Sequence, residues 1–300
     1  MPARGTFRGL NVAIATCAAL PAGHDEDQPL AEALRSRGAD AAFEVWDAPA
    51  VDWGRFDRVV VRSTWDYTFK RDGFIAWAES LEGRVLNPPD LMRWNSDKHY
   101  LADLADAGLP VVPTSFTGPS DPLPDLDGEV VVKPAISAGA RDTGRFSECA
   151  HAQALALIAR IRGEGRTAMV QPYLPAVDER GETAIVFTAG ELSHTLRKRA
   201  VLAPDEEAPI HEGELGTAAA MWDPDLVTAG EATPAEHELG DRVIAEVTRR
   251  FSGPPLYARV DMLGDGKGSP VVLELEAVEP CLYLRTAPGA ADDLAAAVLT

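Results

Sequence analysis

Cysteine is scarce in this 300-residue chain, and what there is forms no pattern. Cys17, Cys149 and Cys281 are widely spaced, odd in number, and include no C-x-x-C. That speaks against a disulfide framework or a structural zinc site, and it fits a reducing cytoplasm. Positive charge is also in short supply. There are 28 lysines and arginines against 47 aspartates and glutamates, a formal net charge of −19. Sequence-independent binding to DNA or RNA needs clustered cations, so nucleic acid is set aside as a partner. The excess reads as an acidic surface, and any anionic ligand must be met by local cations or a metal. No apolar run reaches the roughly 18 residues of a membrane span, so no membrane partner is expected. Arg4 and Arg8 ahead of LNVAIATCAALPAG imitate a secretory leader. Asn11 inside the apolar stretch, and its smooth continuation into a β-loop-α unit, favour a buried first strand over residues 11–16.

What is present is the patterning of an α/β protein. In the first ~90 residues, strands at 10–16, AAFEVW, FDRVVVRS and RVLNPP alternate with two helices. One helix follows Leu30 and ends near Gly38, and the other is RDGFIAWAESLEG. Alternation of this kind predicts a small parallel-sheet domain over residues 1–94. Beyond it, Asn95 or Ser96 is expected to cap the helix of SDKHYLADLADAG, with Gly108 ending it. GPSDPLPDLDG reads as a loop, GEVVVKP and TAMVQPYLP as strands, and HAQALALIARIRG as a helix. ETAIVFTAGELSHTLRKRAV reads as a hairpin turning at Ala189-Gly190. Residues 202–234 are irregular and acidic, and read as a mobile surface segment. A helix over AEHELGDRVIAEVTRRF, a hairpin joining PLYARVDMLG to PVVLELEAV, and a last helix complete the chain.

Chemistry collects on that second hairpin. Side chains two apart on a strand share a face, which puts Glu274 with Glu276, and Arg259 with Asp261. Leu273 and Leu275 fall on the opposite face. Antiparallel pairing brings Asp261, Glu274 and Glu276 to one surface with Arg259 at its edge. Three oxygen donors without His or Cys suit a hard cation, Mg²⁺ or Mn²⁺. A solvated face carrying an Arg–Glu pair is the plainer alternative. Lys133 ends a strand just before AISAGARDTG, whose small residues would let backbone approach phosphate oxygens. Lys98 sits in the first turn of its helix. Neither GxGxxG nor GxxxxGK[ST] is present, so neither a Rossmann nor a P-loop site is supported. RSTWDYTFKRDGF follows the strand VVVRS, at the carboxyl end where open α/β sheets bind ligands. There Arg62 could clamp a carboxylate, and Ser63, Thr64, Asp66 and Tyr67 offer hydrogen bonds. Trp65 reads as a packing residue. His24, Asp25 and Asp27 border the same edge.

Over roughly residues 95–290 the chain resembles the ATP-grasp superfamily. The resemblance rests on SDKHYLADLADAGLPVVPT, VVKPAISAGARDTGRF, MVQPYLP, YARVDML and LELEAVEP, in that order. It implies two α+β subdomains clasping ATP: a small lid over about 110–175 and a catalytic subdomain over 176–300, with the first 94 residues on the substrate side. It implies that Lys98 and Lys133 contact ATP phosphates and that the loop Ser137, Ala138, Gly139 folds over them. Gln171, Pro172, Tyr173 and Leu174 would hold adenine, with Asp178 just beyond. Asp261, Glu274 and Glu276 would hold Mg²⁺, Glu276 standing where relatives commonly have Asn. Lys198 and Arg199 would join Arg259 as catalytic cations. Glu279 falls outside the metal set.

The implied reaction makes an acyl phosphate from a carboxylate and ATP, which an amine or similar nucleophile then captures. RSTWDY, QPYLPAVDERGE and ELEAVEPCLYL are most similar to amino-acid-directed members, in particular the cyclo-ligases that close O-ureido-D-serine to D-cycloserine. A small amino acid is the expected partner, and a homo-oligomer is compatible with the chain. Two other readings stand beside this one. One is a ligase joining an amino acid to a second amino acid or amine. The other is a nucleotide-binding module without catalysis. Use of the acidic segment 202–234 by an interaction protein has only composition behind it.

Overall fold

A computed structural model describes residues 9–208 and 215–300. The hydrophobic runs read from the sequence assemble into three sheets. The first is parallel, in the order Asp40–Val45, Asn11–Thr16, Arg58–Val61, Val85–Leu86. Its strands are short and β-branched, and both faces are covered, as parallel strands require. On one face lie Leu30 and Leu34 of the helix Gln28–Ser36, which also packs on Leu294 and Val298 of the terminal helix Ala290–Leu299. On the other lie Phe74, Ile75 and Ala78 of the helix Arg71–Ser80, among Trp46, Trp53 and Trp77.

The second sheet is antiparallel, in the order Val227–Ala229, Glu191–Lys198, Glu182–Thr188, Tyr257–Gly264, Pro270–Glu276. Its apolar face sits on the helix Pro234–Arg250 through Leu239, Val243 and Val247. That helix starts with Pro at its first turn and a reciprocal capping box between Thr233 and Glu236. The third sheet, also antiparallel, runs Glu206–Glu207, Gly144–Phe146, Val130–Pro134, Ala168–Pro172, Ser115–Thr117. It carries the helix His151–Gly163, whose Leu157, Ile158 and Ile161 bury against Val130, Val132 and Val170. The chain is thus an α/β protein with a parallel-sheet region preceding two antiparallel sheets that face one cavity.

Several local expectations change. Neither Asn95 nor Ser96 is the N-cap of the following helix; that position is His99. Asn95 ends an unexpected helix, Pro89–Asn95, which Pro88 and Pro89 start rather than prevent, because proline's fixed φ suits a first turn. The helix that follows begins later, at Tyr100. Ser115–Thr117 and Gly144–Phe146 are strands that the sequence pattern does not mark. Their three-residue length leaves no alternation to detect. The segment after residue 202 is more than surface. Glu206–Glu207 and Val227–Ala229 each add an edge strand, to the third and second sheets respectively. Leu202, Thr217, Met221 and Trp222 line the cavity. Residues 209–214 of that segment, and Arg4 and Arg8, lie outside the described residues.

Candidate active site

The hairpin strands Tyr257–Gly264 and Pro270–Glu276 meet in a register that sets Arg259 opposite Glu276 and Asp261 opposite Glu274. A bulge then intervenes, because Met262 pairs with Val272 and leaves Leu273 over. The bulge breaks strict alternation, so Leu273 lines the cavity beside Glu274 instead of pointing away from it. A second bulge, between Leu192 and His194, shifts the other hairpin by one residue. A straight count from the Ala189-Gly190 turn would set Arg197 against Glu182. The bulge sets Lys198 there instead, and aims its amine at the catalytic face.

Every acid of the cluster is matched to a cation. Arg259 holds Asp261 with two parallel hydrogen bonds, 2.8 and 2.9 Å, and also bonds Glu276. Lys198 bridges Asp261 and Glu182, both at 2.7 Å. Glu274 lies between Lys98 at 3.2 Å and Lys133 at 3.4 Å. Burial opposes ionisation of Asp261, but Arg259 and Lys198 outweigh it and hold the carboxyl well below the usual range. Burial is likewise outweighed at Glu274, which Lys98 and Lys133 hold at about 2. Glu276 goes the other way. Burial raises it, and the neighbouring Asp261 and Glu274 add to the rise against the pull of Arg259. Glu279 is pushed furthest, to about 8, by burial and then by Glu276.

The face opens into a cavity of about 290 Å³ between the two antiparallel sheets. Lys98, Lys133, Ser137, Ala138, Gly139, Gln171, Pro172, Tyr173, Leu174, Lys198, Arg259, Glu274 and Glu276 all line it. Lys98 donates to the Ser137 carbonyl at 3.0 Å, which joins the turn ahead of the Tyr100 helix to the small-residue loop. Gly139 has a positive φ of 62°, and a β-carbon there would meet Thr217 at 2.4 Å, so the loop needs glycine. Gln171 is held by Thr114, and the Tyr173 ring lies under Arg145 at 3.5 Å. Asp178 does not line the cavity; it accepts from the Tyr173 hydroxyl at 2.7 Å and pairs with Arg145. Arg199 is turned outward onto Asp223. Among the described residues no three His, Cys, Asp or Glu side chains gather closely enough to hold a metal unaided. Asp261, Glu274 and Glu276 are nonetheless an all-oxygen set. Mg²⁺ ordinarily takes only one or two carboxylates and fills its octahedron with phosphate and water, so the donor chemistry fits that ion.

The substrate-side segment is arranged differently from its reading in the sequence. Of Arg62, Ser63, Thr64, Asp66 and Tyr67, only Tyr67 lines the cavity. Arg62 is 2% exposed, paired with Asp27 at 3.0 Å and bonded to the Pro280 carbonyl at 2.6 Å. Ser63 bonds Thr16, Thr64 is buried, and Asp66 accepts from the Trp46 indole. Trp65 does line the cavity, and donates to the Glu279 carbonyl at 3.2 Å. These bonds belong to a series. Side chains of Asn95, Asn87, Tyr257, Trp65, Arg62, Arg259 and His194 donate in turn to the carbonyls of Leu275, Ala277, Val278, Glu279, Pro280, Cys281 and Leu282. The tract leaving the strand is therefore laced down along its backbone, while Glu276, Glu279, Cys281 and Tyr283 face the cavity. His24, Glu26 and Glu182 also line the cavity. Glu26 and Glu182 carry no motif of their own; only the register of the hairpin from Glu182 to Lys198 points to Glu182.

The N-terminal residues 12–87 match the family model described as D-cycloserine synthetase DcsG, N-terminal domain. The cycloserine biosynthesis protein DcsG of Streptomyces lavendulae is 33% identical over 290 residues, covering 92% of this chain and 93% of that one. The chain belongs to the DcsG family of ATP-grasp ligases. The crystal structure of D-cycloserine synthetase DcsG superposes with a TM-score of 0.84 at 32% identity, covering 96% of this chain and 98% of the other. The ATP-grasp ligase PsnB, solved with a phosphomimetic variant of its minimal precursor, Mg and ADP, shares the fold at a TM-score of 0.59 and 18% identity. It covers 97% of this chain and 98% of its own. Membership of the DcsG family makes the chain an ATP-dependent ligase. No helix among its described residues is long and apolar enough to cross a membrane.

Proposed function

We propose that this ligase activates the carboxylate of O-ureido-D-serine as an acyl phosphate and closes it to D-cycloserine, using ATP and Mg²⁺ in the cytoplasm. The observation that carries the reading is the cavity itself. Four cations, Lys98, Lys133, Lys198 and Arg259, converge on a face that also bears Glu274 and Glu276. Such a face can take a triphosphate and a carboxylate together, because the cations can serve phosphate oxygens as readily as the acids they now pair with. Gln171 to Leu174 form the adenine side. Lys98, Lys133 and the loop Ser137–Gly139 hold the phosphates. Asp261, Glu274 and Glu276 hold Mg²⁺, which supplies neutralisation of charge on the phosphate oxygens.

Catalysis in this reading is positioning and charge. Arg259 and Lys198 orient the substrate carboxylate toward the terminal phosphate and stabilise charge as it passes to the acyl phosphate. A nitrogen of the same molecule then attacks the carbonyl carbon. The N–C bond forms as the C–O bond to phosphate breaks, and the ureido carbon and its amide nitrogen then leave as carbon dioxide and ammonia with the uptake of one water. Glu26, with an oxygen that is buried and unpartnered, stands on the cavity wall near His24 and Trp65, where it can meet the substrate's ammonium group.

The test offers ATP, Mg²⁺ and O-ureido-D-serine with no second amine. ADP and D-cycloserine should appear together in equal amounts. ADP appearing only after a second amine is added would replace cyclisation with intermolecular ligation. Glu274→Gln should lower turnover by about 100-fold and weaken the Mg²⁺ dependence of nucleotide binding. An unchanged Mg²⁺ dependence would reduce the acidic face to a solvated surface.

A further inference from the structure

The loop that would cover the phosphates continues beyond Gly139 into Ala140, Arg141 and Asp142. Ala140 and Asp142 both hold positive φ, 54° and 52°, an uncommon conformation for residues with a β-carbon. The two turns swing Arg141 out of the third sheet and across to the parallel-sheet region. There its guanidinium lies over the exposed ring of Phe69 at 3.9 Å and donates to the hydroxyl of Thr68. The other arm donates to the Leu215 carbonyl at 3.1 Å, and the Gly139 carbonyl receives the Ala218 N–H at 2.7 Å. Three parts of the chain far apart in sequence therefore meet over the cavity. All three also line it, through Tyr67, through Ser137 to Ala140, and through Thr217.

Arg141 is 8% exposed, yet among the described residues its hydrogen bonds go to a hydroxyl and a carbonyl rather than to a carboxylate. Burial accordingly lowers its hold on its proton, and Asp142 only partly offsets this. A buried cation held by neutral acceptors and an aromatic face is a costly arrangement for packing alone. It becomes useful where negative charge gathers close by, as it does when the neighbouring loop covers phosphates.

We propose that Arg141 is a positioning residue, a latch that ties the phosphate loop to Thr68 and Phe69 and so keeps the reactive acyl phosphate from water. The inference rests on the acyl-phosphate reading above. When the latch is broken, water can add to the acyl phosphate carbonyl in place of the internal nitrogen. The C–O bond to phosphate then breaks, giving the free acid and inorganic phosphate, and ATP is consumed without a ring being formed.

The experiment measures ADP and cyclised product in the same reaction with the full chain. The variants are Arg141→Ala, Arg141→Lys and the double Thr68→Val/Phe69→Ala. Arg141→Ala should raise ADP formed per product by about tenfold, the worth of one hydrogen bond from a charged donor. Arg141→Lys should fall between it and the parent. The double variant removes the other half of the latch from a partly exposed site and should uncouple in the same direction, which keeps the proposal open to refutation even if Arg141→Ala fails to fold. A ratio that stays at one while kcat falls would overturn the latch and leave Arg141 a structural residue. If the parent enzyme forms no ADP with the amino acid, it is the acyl-phosphate reading that fails, before any variant is compared.

Discussion

The two ends of the cavity use charge in opposite ways. At the end proposed for nucleotide, Lys98, Lys133, Lys198 and Arg259 stand on the cavity wall, each paired with an acid of the hairpins. At the substrate end, Arg62 is as buried as any of them but faces away from the cavity. Its charge is committed to Asp27 and a backbone carbonyl. The same residue type thus lines the cavity in one place and braces the scaffold behind it in the other. Strand position alone does not distinguish them. What does is whether the paired groups line the cavity, as Arg259 and Glu276 do, or lie behind its wall, as Arg62 and Asp27 do.

That contrast can be attacked most forcefully at Arg62. Arg62→Ala would strand Asp27 as a buried charge and should cost about 3–5 kcal/mol in denaturant unfolding. Asp27→Asn in the same chain should recover part of the loss, as a double-mutant cycle would measure. A stable variant whose KM for the amino acid rises sharply would instead return Arg62 to the substrate clamp suggested by its sequence context.

A second test concerns Glu279, the acid between the two ends. Its folded-state pKa is raised to about 8, so the native state binds this proton more tightly than the unfolded chain. The stability this contributes is present below the unfolded carboxyl value of ~4.3 and is lost as pH rises through 8. Between pH 5 and 8, without metal or nucleotide, the parent should lose about 3–4 kcal/mol that Glu279→Gln retains. Parallel pH profiles for the two chains would mean the carboxyl is ionised in the cavity already at neutral pH.

The smallest effect is expected at Arg199. It is exposed and salt-bridged to Asp223 on the surface, so Arg199→Ala should change stability by less than about 0.5 kcal/mol and leave kcat/KM unchanged. A fall in kcat would place it beside Lys198 as the sequence suggests.

Much of the nucleotide end is legible in the linear chain. Strand period and a short turn suffice to bring Asp261, Glu274 and Glu276 together, and five short motifs in order carry the ATP-grasp resemblance. Two bulges set the limit. A one-residue slip decides whether Arg197 or Lys198 opposes Glu182, and whether Leu273 faces the cavity, and neither slip leaves a mark in composition. The substrate end is harder still. Arg62 and Trp65 bond to carbonyls more than 210 residues away in the chain, and a backbone acceptor has no signature in the sequence. The helix Pro89–Asn95 hides for a related reason, since its flanking prolines look like a stop when they are a start.

The laced tract from Leu275 to Leu282 has a consequence for how this enzyme could change. Carbonyl oxygens are the same on every residue, so the side chains that grip them are indifferent to which residue they hold. Positions 279, 281 and 283 can therefore be exchanged while the path of the backbone stays fixed. The tract behaves as a rail on which the wall of the cavity can be rewritten one side chain at a time. A search for altered substrate range should randomise those three positions and leave Asn87, Asn95, Arg62 and His194 alone.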